Sequence, residues 1–264
     1  MERSTWWKTS ISDISPGVIR FHGYPVEQLI SADTVGLASM IWLMTRGELP
    51  CPAQARLLEH ALVAGVDHGP QAPSIAIARM AMTCGVGINS AMASATNVLG
   101  DVHGGAGQEL MELFQAILVD ERPLEEAVAA RISWLREQGR YVPGFGHRFH
   151  PVDPRRAPLV AAVEAARAEG LVEGRVLDAA LEIERQINVG RERPIPMNID
   201  GATAIIYAEL GFDPVLGRGL FILSRSVGAL AHAWEESRSG LRNKGPEHRS
   251  ILPDYAGPAR RDVS

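Results

Sequence analysis

From Asp33 onward one pattern recurs: apolar residues at helical spacing, opened by a capping residue or a proline and closed by a glycine. Val35, Ala38, Ile41, Trp42 and Leu43 follow Asp33 and stop at Gly47. Pro52 suits the first helical position of a segment ending at Gly65, and Pro73 opens one ending at Gly85. Residues 88–99 are rich in small side chains that let helices approach closely. After Gly104-Gly105 come Leu110, Leu113, Phe114, Ile117 and Leu118, then a segment from Pro123 to Gly139. Asp153-Pro154 reads as cap plus first position of a helix reaching about Gly170. Further helices are expected over 175–189, from Asp200 to Leu210, and from Pro214 to about Glu236. Only Gly17–Tyr24 alternates apolar with polar residues, as one small β ribbon does. The expected class is therefore all-α, mainly helical with a small N-terminal β ribbon.

Composition narrows the function. With 46% hydrophobic and 22% charged residues over 264 positions, the chain can build a sizeable core. A net charge of −5 gives no basic excess for nucleic acid or an anionic membrane. No apolar run approaches the roughly 18 residues of a membrane span, and Met1–Ser10 holds no readable secretory leader. Cys51 and Cys84 cannot form a disulfide framework or a cysteine-rich metal site. A cytoplasmic protein of a reducing compartment is expected. The cations are 24 Arg and 2 Lys, so some guanidiniums are candidates to grip carboxylates or phosphates through paired hydrogen bonds, although coding bias also produces such a count.

Three loop segments carry residue types suited to chemistry. In Gly100–Gly107, His103 precedes two glycines at a helix start and could face an oxyanion; a capped turn with a solvated His has the same pattern. Pro143–Arg155 combines glycines, which allow close backbone approach, with His147, His150, Arg148 and Arg155, a set suited to an anion. His147 and His150 invite a metal reading, but no third ligand stands at suitable spacing. In Pro196–Gly201, Asp200 sits where an irregular stretch becomes a helix, the ordinary place of an N-cap. Together, one His to stabilise an enolate, another to polarise a carbonyl and an Asp to move a carbon-bound proton make a workable set for C–C bond chemistry.

In this order the segments resemble the active-site signatures of the citrate synthase superfamily. His103-Gly104-Gly105-Ala106 is similar to its first catalytic His motif. Pro143–His147 with Asp153-Pro154-Arg155 is similar to the second, and Asn198-Ile199-Asp200 to the catalytic Asp motif. Leu223–Gly228, with Ala231-His232 and Glu235, resembles the segment carrying a substrate-carboxylate arginine, Arg225. His68 stands 35 residues before His103, as a His that contacts the oxo acid does in the family. Phe21–Glu27 and Gly47–Pro50 resemble the entry strand and a following helix end. The departures point to citryl-CoA lyases and the citryl-CoA lyase module of ATP-citrate lyase. Only residues 51–66 separate Gly47–Pro50 from Asp67-His68, where full-length synthases carry a long helical insertion. Asp67-His68-Gly69-Pro70 has the lyase form, Gly107 replaces an Asn common in synthases, and the C-terminal Arg-Pro of synthases becomes Arg249-Ser250.

The resemblance implies a shortened two-domain fold, with residues 1–104 and 200–264 in a large helical domain and 105–199 in a small one. It implies His103, His147 and Asp200 as catalytic groups, and His68, Arg155, Arg225 and Arg249 as substrate-carboxylate ligands. Arg249 would reach a neighbouring subunit of a homodimer or higher homo-oligomer. Pro143, Gly144, Phe145, Gly146, Arg148 and Arg193 would contact coenzyme A, which is a thioester substrate; no tightly bound cofactor and no metal are implied. The implied reaction is cleavage of citryl-CoA to acetyl-CoA and oxaloacetate. A citrate or 2-methylcitrate synthase stays open, as does a non-catalytic CoA- or partner-binding subunit.

Overall fold

A computed structural model describes residues 7–147, 150–248 and 250–263. It is mainly helical, with one small antiparallel sheet near the start. The strands are β1 (Ser12–Ser15), β2 (Val18–Phe21) and β3 (Tyr24–Pro25), in the order β1-β2-β3 with Ser12 opposite Phe21 and Phe21 opposite Tyr24. Pro16-Gly17 and His22-Gly23 make the two turns, the second with positive φ at both residues, as a tight hairpin requires. The single ribbon expected over Gly17–Tyr24 is thus the middle of a three-stranded sheet.

Eleven helices follow among the described residues: α1 (Val26–Ser31), α2 (Leu37–Arg46), α3 (Pro52–Gly65), α4 (Pro73–Thr83), α5 (Ile88–Asn97), α6 (Ala106–Leu118), α7 (Leu124–Glu137), α8 (Arg156–Ala168), α9 (Arg175–Ile187), α10 (Ile199–Glu209) and α11 (Pro214–Ser237). Pro52 and Pro73 occupy the first helical positions, where the missing N–H has no partner to lose. Two expected starts move. Asp33 lies in a turn and α2 begins after Gly36. Asp153 does not cap α8 at Pro154, because its carboxylate accepts hydrogen bonds from Arg155. Among the described residues no helix is long and apolar enough to cross a membrane.

The chain divides into two compact units. The first comprises residues 1–67 and 99–225, and its core is organised on α10. Of the nine residues from Ile199 to Tyr207 all but Asp200 are buried, and α3, α6, α8 and α9 pack around the helix. A helix apolar on all faces is stable only when so enclosed. Ile205 and Ile206 each contribute about 1.5–3 kcal/mol by leaving water. Glu209 at the far end fixes the direction of α10: its carboxylate accepts from the backbone N–H groups of Gly174, Val176 and Leu177 at the start of α9, at 2.8–3.0 Å.

The second unit comprises residues 68–98 and 226–264. Its core is built of small side chains, Ala72, Ala78, Ala91, Ala95, Ala229 and Ala233 around Ile75. Beside it Arg79 pairs with Glu235 at 2.5 Å and with the buried Glu236 at 2.6 Å. Thr83 receives the segment after α11 through the backbone N–H groups of Asn243 and Lys244.

Candidate active site

His103 lies in the bend that leads into α6. The bend is tight: a Cβ on Gly105 would meet the Asp101 carbonyl oxygen at 2.4 Å, and Gly104 has φ +99°. Arg218 holds Asp101 at 2.7 Å and so ties the bend to α11. One turn on, Gly107 passes so close to α10 that a Cβ there would touch the Asp200 carbonyl at 3.6 Å. Burial, and then the charge of Arg225, push the His103 ring below the usual imidazole value. The ring is neutral at neutral pH, the form that donates one hydrogen bond and carries no charge.

The second segment is locked to the third. Gly146 N donates to Pro196 O at 2.7 Å, Asn198 N donates to Gly144 O at 3.0 Å, and Phe145 and Met197 form an isolated antiparallel bridge. The contact needs glycine on both sides. A Cβ on Gly144 would come within 2.9 Å of Gly201 Cα, and one on Gly201 within 2.5 Å of Gly144 O. From behind, Glu184 of α9 and Asn188 just past its end hold the strap before Asp200. Glu184 accepts from Met197 N at 2.9 Å, and Asn188 exchanges hydrogen bonds with both backbone groups of Ile195.

His147 ends the glycine loop, half-buried. Its Nδ1 accepts the backbone N–H of His150 at 3.0 Å, and the two rings lie 4.5 Å apart. An acceptor at Nδ1 means that the neutral ring carries its proton on Nε2. Burial, with His150 and Arg155 nearby, lowers the ring's proton affinity against the opposing pull of Asp153. Among the described residues no three His, Cys, Asp or Glu gather to hold a metal ion.

Asp200 sits in the first turn of α10. It is not the N-cap its position suggested: Asn198 caps the helix, its Oδ1 accepting from the N–H groups of Asp200 and Gly201 at 3.0 and 3.2 Å. Burial raises the Asp200 carboxyl above the usual carboxylate range, overcoming the pull of Arg225 and Arg155, while Asp153 adds to the rise. Arg225 is only 4% exposed; its Nε donates to Gly65 O at 3.0 Å, and its guanidinium lies 5.0 Å over the Phe221 ring. Arg155 is held by the fully buried Asp153 through Nε–Oδ1 at 2.9 Å and Nη2–Oδ2 at 2.8 Å. Burial alone would raise Asp153, but the hydrogen bonds and charge of Arg155 outweigh it and hold the carboxyl low.

A chain of charge links these groups within the first unit: His103 feels Arg225, Arg225 feels Asp200 and Arg155, and Asp153 feels both Arg155 and His147. Of the other sequence-derived candidates, Pro143 and Phe145 flank the buried Gly144, and Arg193 is exposed on the loop before the strap. His68 is half-buried in the second unit. Arg148 and Arg249 lie outside the described residues. Sequence reasoning assigned no separate role to Asn198 or Glu184 and gave Asp153 only that of a helix cap; all three hold the candidate groups in place. A cap-type residue two positions before Asp200 was the one available signal.

Comparison with known proteins agrees with this fold. A citryl-CoA lyase from Hydrogenobacter thermophilus superposes with a TM-score of 0.84 at 29% identity, over 98% of this chain and 97% of that one. An ATP citrate lyase from Methanothrix soehngenii, solved with citrate and coenzyme A, shares the fold at a TM-score of 0.84 and 21% identity, over 97% of this chain and 43% of that one. By sequence the chain is 28% identical over 208 residues to a citrate synthase of Haloferax volcanii, covering 77% of this chain and 52% of that protein. A probable ATP-citrate synthase of Caenorhabditis elegans is 25% identical over 250 residues, covering 87% of this chain and 22% of that protein. The chain thus spans about half the length, or less, of these two relatives. The family described as the citrate synthase C-terminal domain matches residues 34–244, and the chain belongs to it.

Proposed function

We propose that the protein is a citryl-CoA lyase-like enzyme that cleaves citryl-CoA to acetyl-CoA and oxaloacetate by reversible chemistry at the α-carbon of the thioester. The observation that carries this reading is the linkage of two imidazoles of lowered proton affinity and one carboxyl raised by burial through Arg155 and Arg225. The near-complete mutual coverage with a citryl-CoA lyase supports the choice of substrate.

In the cleavage direction His147 takes the proton of the tertiary hydroxyl as that oxygen becomes a ketone. The C–C bond breaks, and its electrons pass to the thioester oxygen, which receives a hydrogen bond from His103. Asp200, raised by burial, protonates the carbon. Arg155 and Arg225 grip the oxo-acid carboxylates, with His68 and, from a partner subunit, Arg249 as further ligands in the same proposal. Paired Arg–carboxylate contacts bring the reacting carbons face to face. Coenzyme A lies along Pro143–Gly146, with Arg148 and Arg193 towards its phosphates. A cytoplasmic homodimer belongs to the same reading.

One observation favours a second direction. With the His150 amide on Nδ1, the resting His147 ring presents Nε2–H as a donor, and accepting a proton at Nε2 requires the other tautomer. A donor suits polarisation of the oxaloacetate carbonyl in condensation, the chemistry of a citrate or 2-methylcitrate synthase. Product analysis separates the readings. A lyase converts citryl-CoA to acetyl-CoA and oxaloacetate without free thiol. Rapid thiol release from acetyl-CoA plus oxaloacetate identifies a synthase, and turnover of neither identifies a binding subunit.

A further inference from the structure

We propose that Asn198 is a positioning residue that sets His147 against Asp200, one half of its amide ordering each partner. This rests on the reaction proposed above. Oδ1 accepts the N–H groups of Asp200 and Gly201, and Nδ2 donates to Gly146 O at 2.7 Å, across 52 residues of sequence. Only this orientation of the amide gives each half a complementary partner, which fixes its assignment.

The second bond has a specific consequence for His147. Gly146 O belongs to the peptide unit that continues into His147. Gly144 and Gly146 both have positive φ and no Cβ, so the loop does not fix this plane by itself. The backbone bonds to the strap hold Gly144 O and Gly146 N. The plane joining Gly146 to His147 is held by the Asn198 side chain. The same side chain holds the peptide N–H of Asp200, so a single amide sets the imidazole and the carboxyl in a common frame. A displacement of about 1 Å in such a frame is worth about 10²-fold in rate.

Capping and positioning can be separated, because Asp and Ser cap helices as well as Asn. Asn198→Asp keeps the acceptor for α10 but turns an oxygen towards Gly146 O. Asn198→Ser keeps the cap without a donor that reaches the loop. Both variants are expected to fold with thermal midpoints close to that of the unaltered protein. Both should lower kcat for citryl-CoA cleavage about 10²-fold, with KM moving less than about threefold. In a His147→Gln background the same changes should cost less than about a further twofold, because the displaced group is gone. Nitrogen-labelled histidine spectra supply a readout that needs no turnover: the His147 ring signals and their titration should shift in both variants. Unchanged His147 signals, with kcat within about threefold, would make Asn198 a helix cap and nothing more. If the unaltered protein fails to cleave citryl-CoA, the proposed reaction falls, and the His147 signals alone decide the role of Asn198.

Discussion

Gly144→Ala tests the contact on which the candidate site is built. Gly144 has φ +77°, a conformation that costs an L-residue roughly 1–2 kcal/mol. The added Cβ would stand 2.6 Å from Leu110 Cδ2, 2.9 Å from Gly201 Cα and 3.0 Å from Gly201 N. Leu110 is fully buried and Gly201 is backbone in the first turn of α10, so neither neighbour can swing aside. Overpacking of this kind adds about 1–3 kcal/mol, for a total of about 2–5 kcal/mol. Gly139→Ala isolates the first part: Gly139 has φ +66° and open space around its Cβ position. Urea unfolding of the two variants, with equal dependence on denaturant, therefore reads the steric contact as their difference. Gly144→Ala should also lose turnover out of proportion to stability, since His147 lies three residues further on. The reasoning is refuted if the two variants lie within about 0.5 kcal/mol of each other, inside the error of such extrapolations.

Three further variants have expected outcomes. Asp200→Asn should lower citryl-CoA cleavage by about 10²–10⁴-fold while calorimetry still detects thioester binding, and near-normal turnover would remove Asp200 from the mechanism. The same variant should alter the stability profile. Burial makes the native Asp200 hold its proton more tightly than the unfolded chain does, so stability falls as pH rises from the ordinary carboxylate value through the raised native one; the variant should lack that fall. Asp153→Asn has the opposite sign. Its native pKa is depressed, so its contribution is complete above the ordinary value and disappears as pH falls through the native one. The variant should be less stable at neutral pH with a flatter acid limb, and an unchanged urea midpoint there would count against the Asp153–Arg155 account. Arg225→Lys removes the buried Nε bond to Gly65 O, so the concentration of oxaloacetate needed for half-saturation should rise about tenfold or more, and an unchanged value would release Arg225 from substrate binding.

The sequence made helices legible where the determinant is local. Pro52 and Pro73 mark their own starts because proline loses nothing at the first helical position. It was silent about α1, whose six residues are too few to show a period. It also missed β1, Ser12–Ser15, whose side chains are nearly all exposed and do not alternate. The start of α8 was misread because Asp153 has a cap's chemistry but spends it on the guanidinium two residues away. The candidate site shows the same division. His103, His147 and Asp200 were visible as residue types in dense motifs. The groups that orient them, Asn198 against Gly146 and Glu184 against Met197, are matched only by the fold.

The proton on Asp200 and the anion on the arginines are one coupled quantity. In the free protein burial raises the carboxyl while Arg225 and Arg155 pull it down, so the two arginines are what restrains its proton affinity. On the proposed roles, an oxo acid that places carboxylates on those guanidiniums cancels part of the restraint, and Asp200 becomes still more basic. Linkage requires the converse: the protonated site holds the anion more tightly by the same factor. Cleavage then begins with citryl-CoA on the arginines and a protonated Asp200, the acid its carbon leaving group needs. Condensation begins with oxaloacetate on the same arginines, and a carboxylate of raised pKa is the stronger base for a weakly acidic thioester α-carbon once it is ionised. On the proposed roles the pH at which Asp200 changes form therefore depends on which anion is bound, so the pH dependence of turnover should differ between saturating citryl-CoA and saturating oxaloacetate, while the equilibrium between them stays that of the reaction itself.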